Sequence, residues 1–206
     1  MHPTQFLGFA TVSLALALAP GPSWIYVLST TFSGARRAGL IAVLGNATGI
    51  VCHVVAVAAG LSAVLTYSTA VYSTVRWLGA LYLVYLGVQT LRQGVDLPAG
   101  PREDTPRSPL RIYSHGVLVN LLNPKVALVM LALLPQFADP AAGRVPLQIL
   151  AIGMTHALIA SLVLIALTLL AGGLSRRLRT APRAARGFRL AAGSTLIAAG
   201  LRLAIR

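Results

Sequence analysis

Apolar positions along the chain gather into six long runs parted by short polar stretches. Each run is about as long as the 20 or so residues a helix needs to cross a bilayer. The first covers about 6–32, the second about 38–66 and the third about 70–91. The fourth covers about 112–137, the fifth about 147–174 and the sixth about 187–205. Between the third and fourth lies "RQGVDLPAGPREDTPRSPLR", residues 92–111, whose four prolines and seven charges predict a flexible aqueous loop. The pattern predicts an all-α fold, a six-span transmembrane bundle forming one domain over 1–206. Its halves would be 1–91 and 112–206, joined by the loop 92–111.

Two runs carry residues that break helices. The first contains "LALALAPGPSWIYVLSTTF", with Pro20, Gly21 and Pro22 near its middle. A proline inside a helix removes a backbone hydrogen bond and clashes with the preceding turn, at about 3 kcal/mol or more. In lipid the freed carbonyls and amides must be satisfied by protein, water or a bound solute. One reading is a kink packed against neighbours. The other is an unwound segment lining a solute site near the bilayer midplane. The fourth run repeats the design in "NLLNPKVALVMLALLPQF". Asn123 precedes Pro124 and is biased away from helix, and Asn120 and Asn123 bring amide donors and acceptors.

Lys125 follows directly. A lysine at a span's centre costs about 2.5–3.5 kcal/mol on insertion scales. Its stem of about 6 Å cannot reach water across a half-thickness of roughly 15 Å. Either the fourth span starts late and Lys125 lies near the interface, or Lys125 faces a hydrated cavity beside the break, where a cation suits a carboxylate.

In the second run Asn46, Gly49, His53, Ala56 and Gly60 are spaced 3, 4, 3 and 4, which sets them on one helix face. Gly45 and Gly49 also form a G-x-x-x-G pair that allows close helix approach. The expected substrate-binding set is Pro20, Gly21, Pro22, Ser23, Asn46, Gly49, Asn120, Asn123, Pro124 and Lys125. His53, and after it His156, are the expected proton-coupling residues, because imidazole changes charge near physiological pH. Each also has a plainer reading as a packing histidine. His2 and His115 sit near run ends and carry no expected role. Tyr67, Tyr72 and Trp77 are expected at one membrane boundary and Tyr113 at the other. Trp24, Tyr26, Tyr82 and Tyr85 fall deeper.

Charge sets the orientation. Arg36 and Arg37, then Arg92, Arg102, Arg107 and Arg111, then Arg176, Arg177, Arg179, Arg183, Arg186 and Arg189 all fall between odd and even runs. Arg76, Arg144, Arg202 and Arg206 fall on the other side. Positive residues mark cytoplasmic connections, so both termini are expected outside the bacterial cytoplasmic membrane. Two sets of three spans would then have opposite orientations, a 3+3 inverted repeat. Pro22 and Pro124 stand 102 positions apart, His53 and His156 stand 103 apart, and Gly79 and Gly87 resemble Gly193 and Gly200.

Composition narrows the chemistry. The chain is 56% hydrophobic and 10% charged, with a mean hydropathy of +0.78, where a soluble domain carries about 25% charged residues. The net charge of +13 is spread between apolar runs rather than on one patch, so nucleic acid is not an expected partner. The acidic residues are Asp96, Glu103, Asp104 and Asp139, none of them inside a run. No paired carboxylates and no nucleophile–base set are available, so no enzyme and no cofactor are expected. Cys52 is the single cysteine, which leaves no disulfide and no Cys-based metal site. A small-residue run ends at Ala19, as before a signal cleavage site, yet "MHPTQ" has no Lys or Arg and the stretch reads as a retained span.

Four stretches together resemble the LysE-type (RhtB-type) family of bacterial amino-acid exporters. They are "APGPSWIYVLSTTFSGARRAGLIAVLGNATG", "HVVAVAAGLSAVL", "WLGALYLVYLGVQTLR" and "GVLVNLLNPKVALVMLALLPQF". The last third is similar more loosely, through "GSTLIAAGLRLAI". The resemblance implies six spans and export of amino acids or related metabolites driven by the proton gradient. It places Pro20, Gly21 and Pro22 on the family's first signature. Asn120, Asn123, Pro124 and Lys125 fall on its fourth-span signature, ending at Pro135 and Phe137, and His53 falls where many members have histidine. Ser23 departs from the family's frequent Asp or Asn, and Ile50 from a position polar in some members. With no carboxylate in a span, a neutral, small or aliphatic amino acid fits better than lysine or arginine. The expected partners are that amino acid, protons and the lipid bilayer, and a homo-oligomer is compatible with the sequence. A metal-ion exporter or channel on a similar scaffold is the alternative. It would need a carboxylate ring or a cysteine–histidine cluster.

Overall fold

The computed structural model describes residues 3–67, 69–92, 108–180 and 182–205. Among them the chain forms seven α-helices, two short 3-10 turns and no strand. The helices are α1 (Pro3–Leu18), α2 (Pro22–Tyr67), α3 (Thr69–Arg92), α4 (Pro109–Leu121), α5 (Pro124–Leu133), α6 (Val145–Thr180) and α7 (Pro182–Ile205). The 3-10 turns, Leu134–Phe137 and Pro140–Ala142, join α5 to α6.

The interrupted runs are broken helices. The axes of Phe6–Leu18 and Pro22–Phe32 meet at 54°, and those of Pro109–Leu121 and Lys125–Phe137 at 57°. In both, the proline that follows the break starts a helix rather than interrupting one. Pro22 opens α2 and Pro124 opens α5, where the missing N–H would have found no acceptor and the fixed φ suits a first turn. The disruption itself lies just before, at Ala19–Gly21 and Leu122–Asn123.

α2 is helical across the predicted connection at Arg36 and Arg37, yet it doubles back. Asn46 Nδ2 donates to Ser23 Oγ at 2.8 Å, although 23 residues of straight helix would part them by about 35 Å. Halfway between them in sequence stand the small residues Ser33, Gly34 and Ala35. The other predicted connections shorten in the same way. α3 runs to Arg92 and α4 starts at Pro109, with Ser108 as its cap; the predicted loop residues 93–107 lie outside the described ones. α6 continues to Thr180 and α7 starts at Pro182, so the predicted loop after 174 is helical on both sides of residue 181. Arginine tolerates helix well, and a basic stretch that leaves the bilayer need not leave the helix.

Among the described residues two helical stretches, Arg36–Gly60 and Val145–Ala171, are long and apolar enough to cross a membrane, and counting each bent pair as one span makes four. α3 and α7 hold shorter apolar stretches, Trp77–Gln89 and Gly193–Ile205. Large apolar side chains such as Leu44, Val55, Leu158, Leu162 and Leu170 face outward, as they must where lipid replaces water.

The second arm of α2 runs parallel to α4. A Cβ on Gly45 would strike Tyr113 O and one on Gly49 would lie 2.6 Å from Asn120 Cβ, so the two numberings rise together. The arm runs antiparallel to α6, where Gly39 meets Thr168 and Gly153 meets Val54. α3 and α7 are also antiparallel, with Gly87 against Ile197 and Gly200 against Ala80. Small residues at these crossings let the backbones touch, which is what gives helix pairs their stability in lipid.

The apolar interior has two parts. One gathers Phe9, Leu16, Val54, Leu83, Met130 and Ile149. The other gathers Trp24, Val27, Val43, Ile112, Leu164 and Leu167. The polar groups described next lie at their seam.

Candidate substrate site

At the first break the last carbonyls of α1 lose their helical donors. Trp24 Nε1 donates to Ala17 O at 2.7 Å, and Lys125 Nζ reaches across from the other break to Ala19 O. The first N–H groups of α2, which no helix can satisfy from within, lie at Gly21, Ser23 and Trp24. At the second break Asn123 takes extended backbone angles and caps α5, its Oδ1 accepting from Lys125 N at 3.0 Å. The breaks therefore meet through a lysine and a serine. Ser23 Oγ accepts from Asn46 Nδ2 at 2.8 Å and from Asn123 Nδ2 at 3.4 Å. Asn120 Nδ2 in turn donates to Asn46 Oδ1 at 3.0 Å. Asn46, Asn120 and Asn123 are all buried, and in a low-dielectric interior each link made strengthens such a chain, while Asn120 Oδ1 is left without a partner among the described residues.

A cavity of about 50 Å³ opens on this network, room for roughly three to five waters, at about 10–15 Å³ of such volume for each. Its polar wall comprises Gly21, Ser23, Asn46, Asn120, Asn123, Lys125 and His156, and its apolar wall includes Leu16, Trp24, Val126, Met130 and Leu164. These apolar residues come from both parts of the interior, so the cavity sits where the two cores join.

Seven residues of the expected set thus converge, counting His156 with the substrate group. Others take different places. Pro20 and Pro22 shape the first break without lining the cavity, and Pro22 is exposed. Gly49 is spent on packing against Asn120. Pro124 opens α5. His53 is half-buried, and its Nε2 lies 3.3 Å from Asn120 O; it backs the network and does not line the cavity, whereas His156 does. The predicted stripe also splits: Asn46 and Gly49 are buried on α4 while Ala56 and Gly60 are exposed. A 3.5-residue repeat drifts by roughly 20° per heptad around a 3.6-residue helix, so the lower end has rotated off the partner.

Ser13 was not legible in the sequence. It lies fully buried in α1, with Oγ 2.6 Å from His156 Nδ1. In an apolar run it looks no different from Thr11, whose hydroxyl merely returns to Leu7 O. Tyr26 is likewise explained only by the fold, its hydroxyl donating to Ile112 O at 2.6 Å. Among the described residues no group of three His, Cys, Asp or Glu side chains is placed to hold a metal.

The family model described as LysE type translocator matches residues 14–206. An uncharacterized membrane protein of Vibrio cholerae is 34% identical over 175 residues, 85% of this chain and 84% of that protein. The homoserine/homoserine lactone efflux protein of Salmonella typhimurium is 28% identical over 199 residues, 97% of this chain and 95% of that one. The leucine efflux protein of an Enterobacter species is 25% identical over 182 residues, 88% of this chain and 86% of that one. No solved structure matches the chain.

Proposed function

Since the chain belongs to the LysE type translocator family, we propose that it exports a neutral, small or aliphatic amino acid across the bacterial cytoplasmic membrane, driven by the proton gradient. The observation that carries this reading is the meeting of the two breaks at one cavity, with Lys125 Nζ on Ala19 O. The substrate's carboxylate takes the Lys125 ammonium together with the first-turn N–H groups of α2, where a helix offers its positive end. As Lys125 leaves Ala19 O, that carbonyl is released to accept from the substrate's own ammonium group. Both charges of a zwitterion are then met by exchange rather than by burying an unpaired ion.

The side chain lies against Leu16, Val126, Met130 and Leu164, an apolar wall suited to aliphatic groups. Among the described residues no carboxylate lines the cavity, and Lys125 repels a second cation, so lysine and arginine are poor passengers. The names of the homoserine and leucine efflux relatives support an amino-acid substrate. Proton coupling falls to a histidine: His53 touches the network, and His156 lines the cavity. Six spans in a 3+3 inverted repeat, with both termini outside, complete the reading. It is supported by the similar bends at the two breaks and by the antiparallel pairing of α2 with α6 and of α3 with α7.

Efflux from cells loaded with dipeptides tests the proposal. Expression should lower the internal level of at least one neutral amino acid, leucine and homoserine among those assayed, and a proton-gradient uncoupler should abolish the effect. If no amino acid falls below the empty-vector level, the proposal is wrong.

A further inference from the structure

The contact between Ser13 and His156 joins residues 143 positions apart, from α1 to α6, at 2.6 Å. Ser13 is 0% exposed, and its hydroxyl has no other hydrogen-bond partner among the described residues. A buried O–H that donates to nothing is strongly disfavoured, so the Ser13 hydrogen belongs on His156 Nδ1. A neutral imidazole that accepts at one ring nitrogen carries its hydrogen on the other. Nε2, which takes no protein partner among the described residues, is left to the cavity that His156 lines.

Ser23 points the same way. Its Oγ already accepts from Asn46 and from Asn123, both lone pairs are engaged, and its own hydrogen remains for the cavity. With the Lys125 ammonium and the open N–H groups of α2, this part of the wall is made of donors. A surface of convergent donors matches a carboxylate.

We infer that Ser13 holds His156 as the tautomer with hydrogen on Nε2, making His156 a donor to the substrate's carboxylate rather than a base waiting for a proton. Ser13 is a positioning residue and His156 a binding residue. The inference rests on the exporter reading above, because it needs a carboxylate-bearing passenger, and it leaves the proton to His53 behind Asn120. The charged or titratable side chain that shares the cavity wall with His156 is Lys125 on α5. α2 contributes His53, turned to Asn120 O, and α1 has no titratable side chain.

Two measurements on the full chain separate failure of this inference from failure of the exporter reading. Nitrogen-15 NMR of labelled histidines in reconstituted protein reads the tautomer without any transport. The His156 signals are identified by their loss in His156→Gln or, should that variant not fold, by replacing His2, His53 and His115 in turn. Hydrogen on Nε2 is expected in the wild type and in Ser13→Thr, and a tautomer mixture in Ser13→Ala. Hydrogen on Nδ1 in the wild type overturns the inference.

The second measurement is the concentration dependence of leucine and homoserine transport in everted vesicles. The half-saturating concentration should rise about tenfold in Ser13→Ala, the scale of one hydrogen bond, and return in Ser13→Thr. Equal values in wild type and Ser13→Ala also overturn it. A wild type that moves no amino acid refutes the exporter reading and removes the carboxylate role with it, while the NMR result still judges the tautomer.

Discussion

Lys125 is where the chemistry is most concentrated. Its ammonium satisfies the Ala19 carbonyl across the two breaks, and a hydrogen bond to a charged group is worth about 1.5–3 kcal/mol. Lys125→Ala deletes that link and the cation that would receive a carboxylate. Export should fall roughly 10- to 100-fold, the range those energies span, while membrane insertion, followed by a fused reporter, is unchanged. Wild-type export by the variant would reduce Lys125 to a packing residue. Asn123 makes a separable contribution. Its side chain caps α5 by accepting from Lys125 N at 3.0 Å, and loss of such a cap costs about 1 kcal/mol. Asn123→Asp keeps the capping oxygen but loses the donor to Ser23, whereas Asn123→Ala loses both. The alanine variant should melt lower in detergent than the aspartate variant. The reverse order would show that the cap contributes less than a carboxylate costs at this buried position.

At the scale of elements, the close crossings decide which glycines matter. A Cβ on Gly116 would sit 2.7 Å from Ala42 O, a backbone atom with little freedom to give way. Gly116→Ala should force α4 off α2 at about 1–3 kcal/mol, lowering the melting temperature by several degrees. Gly60 has nothing within 4 Å of its would-be Cβ, and Gly60→Ala should melt at or slightly above wild type because alanine is the better helix former. If the two variants melt alike, the α2–α4 crossing is not a tight contact. The helices themselves were plain in the sequence, since apolar runs of about 20 residues have few alternatives. Their ends were not. Polarity marks where a chain leaves apolar surroundings, and at Arg36–Arg37 and after Leu174 the chain does so while still helical.

For the molecule as a whole, the breaks were visible because proline and glycine announce themselves locally, and their partner was visible because a lysine inside an apolar run demands one. The residues that complete the cavity were less legible. Ser13 gains its meaning only when α1 packs on α6, and the difference between His53 and His156 depends on helix rotations that spacing alone does not fix. Both histidines sit near the middles of apolar runs, yet one turns to the Asn120 backbone and the other to the cavity.

Thiol labelling at the first break tests most directly whether the two breaks join around a solvent-reached site for the passenger. A Cβ on Gly21 would lie 3.6 Å from Lys125 Cδ and 3.8 Å from its Nζ, ordinary contact, so a cysteine fits there. With Cys52 replaced by serine, Gly21→Cys should react with a small water-soluble maleimide, helped by the adjacent ammonium. Leucine or homoserine should slow the reaction in proportion to its occupancy of the site. A thiol at position 21 that stays unlabelled, or that labels at one rate with and without every amino acid tried, would contradict a passenger site between the broken helices.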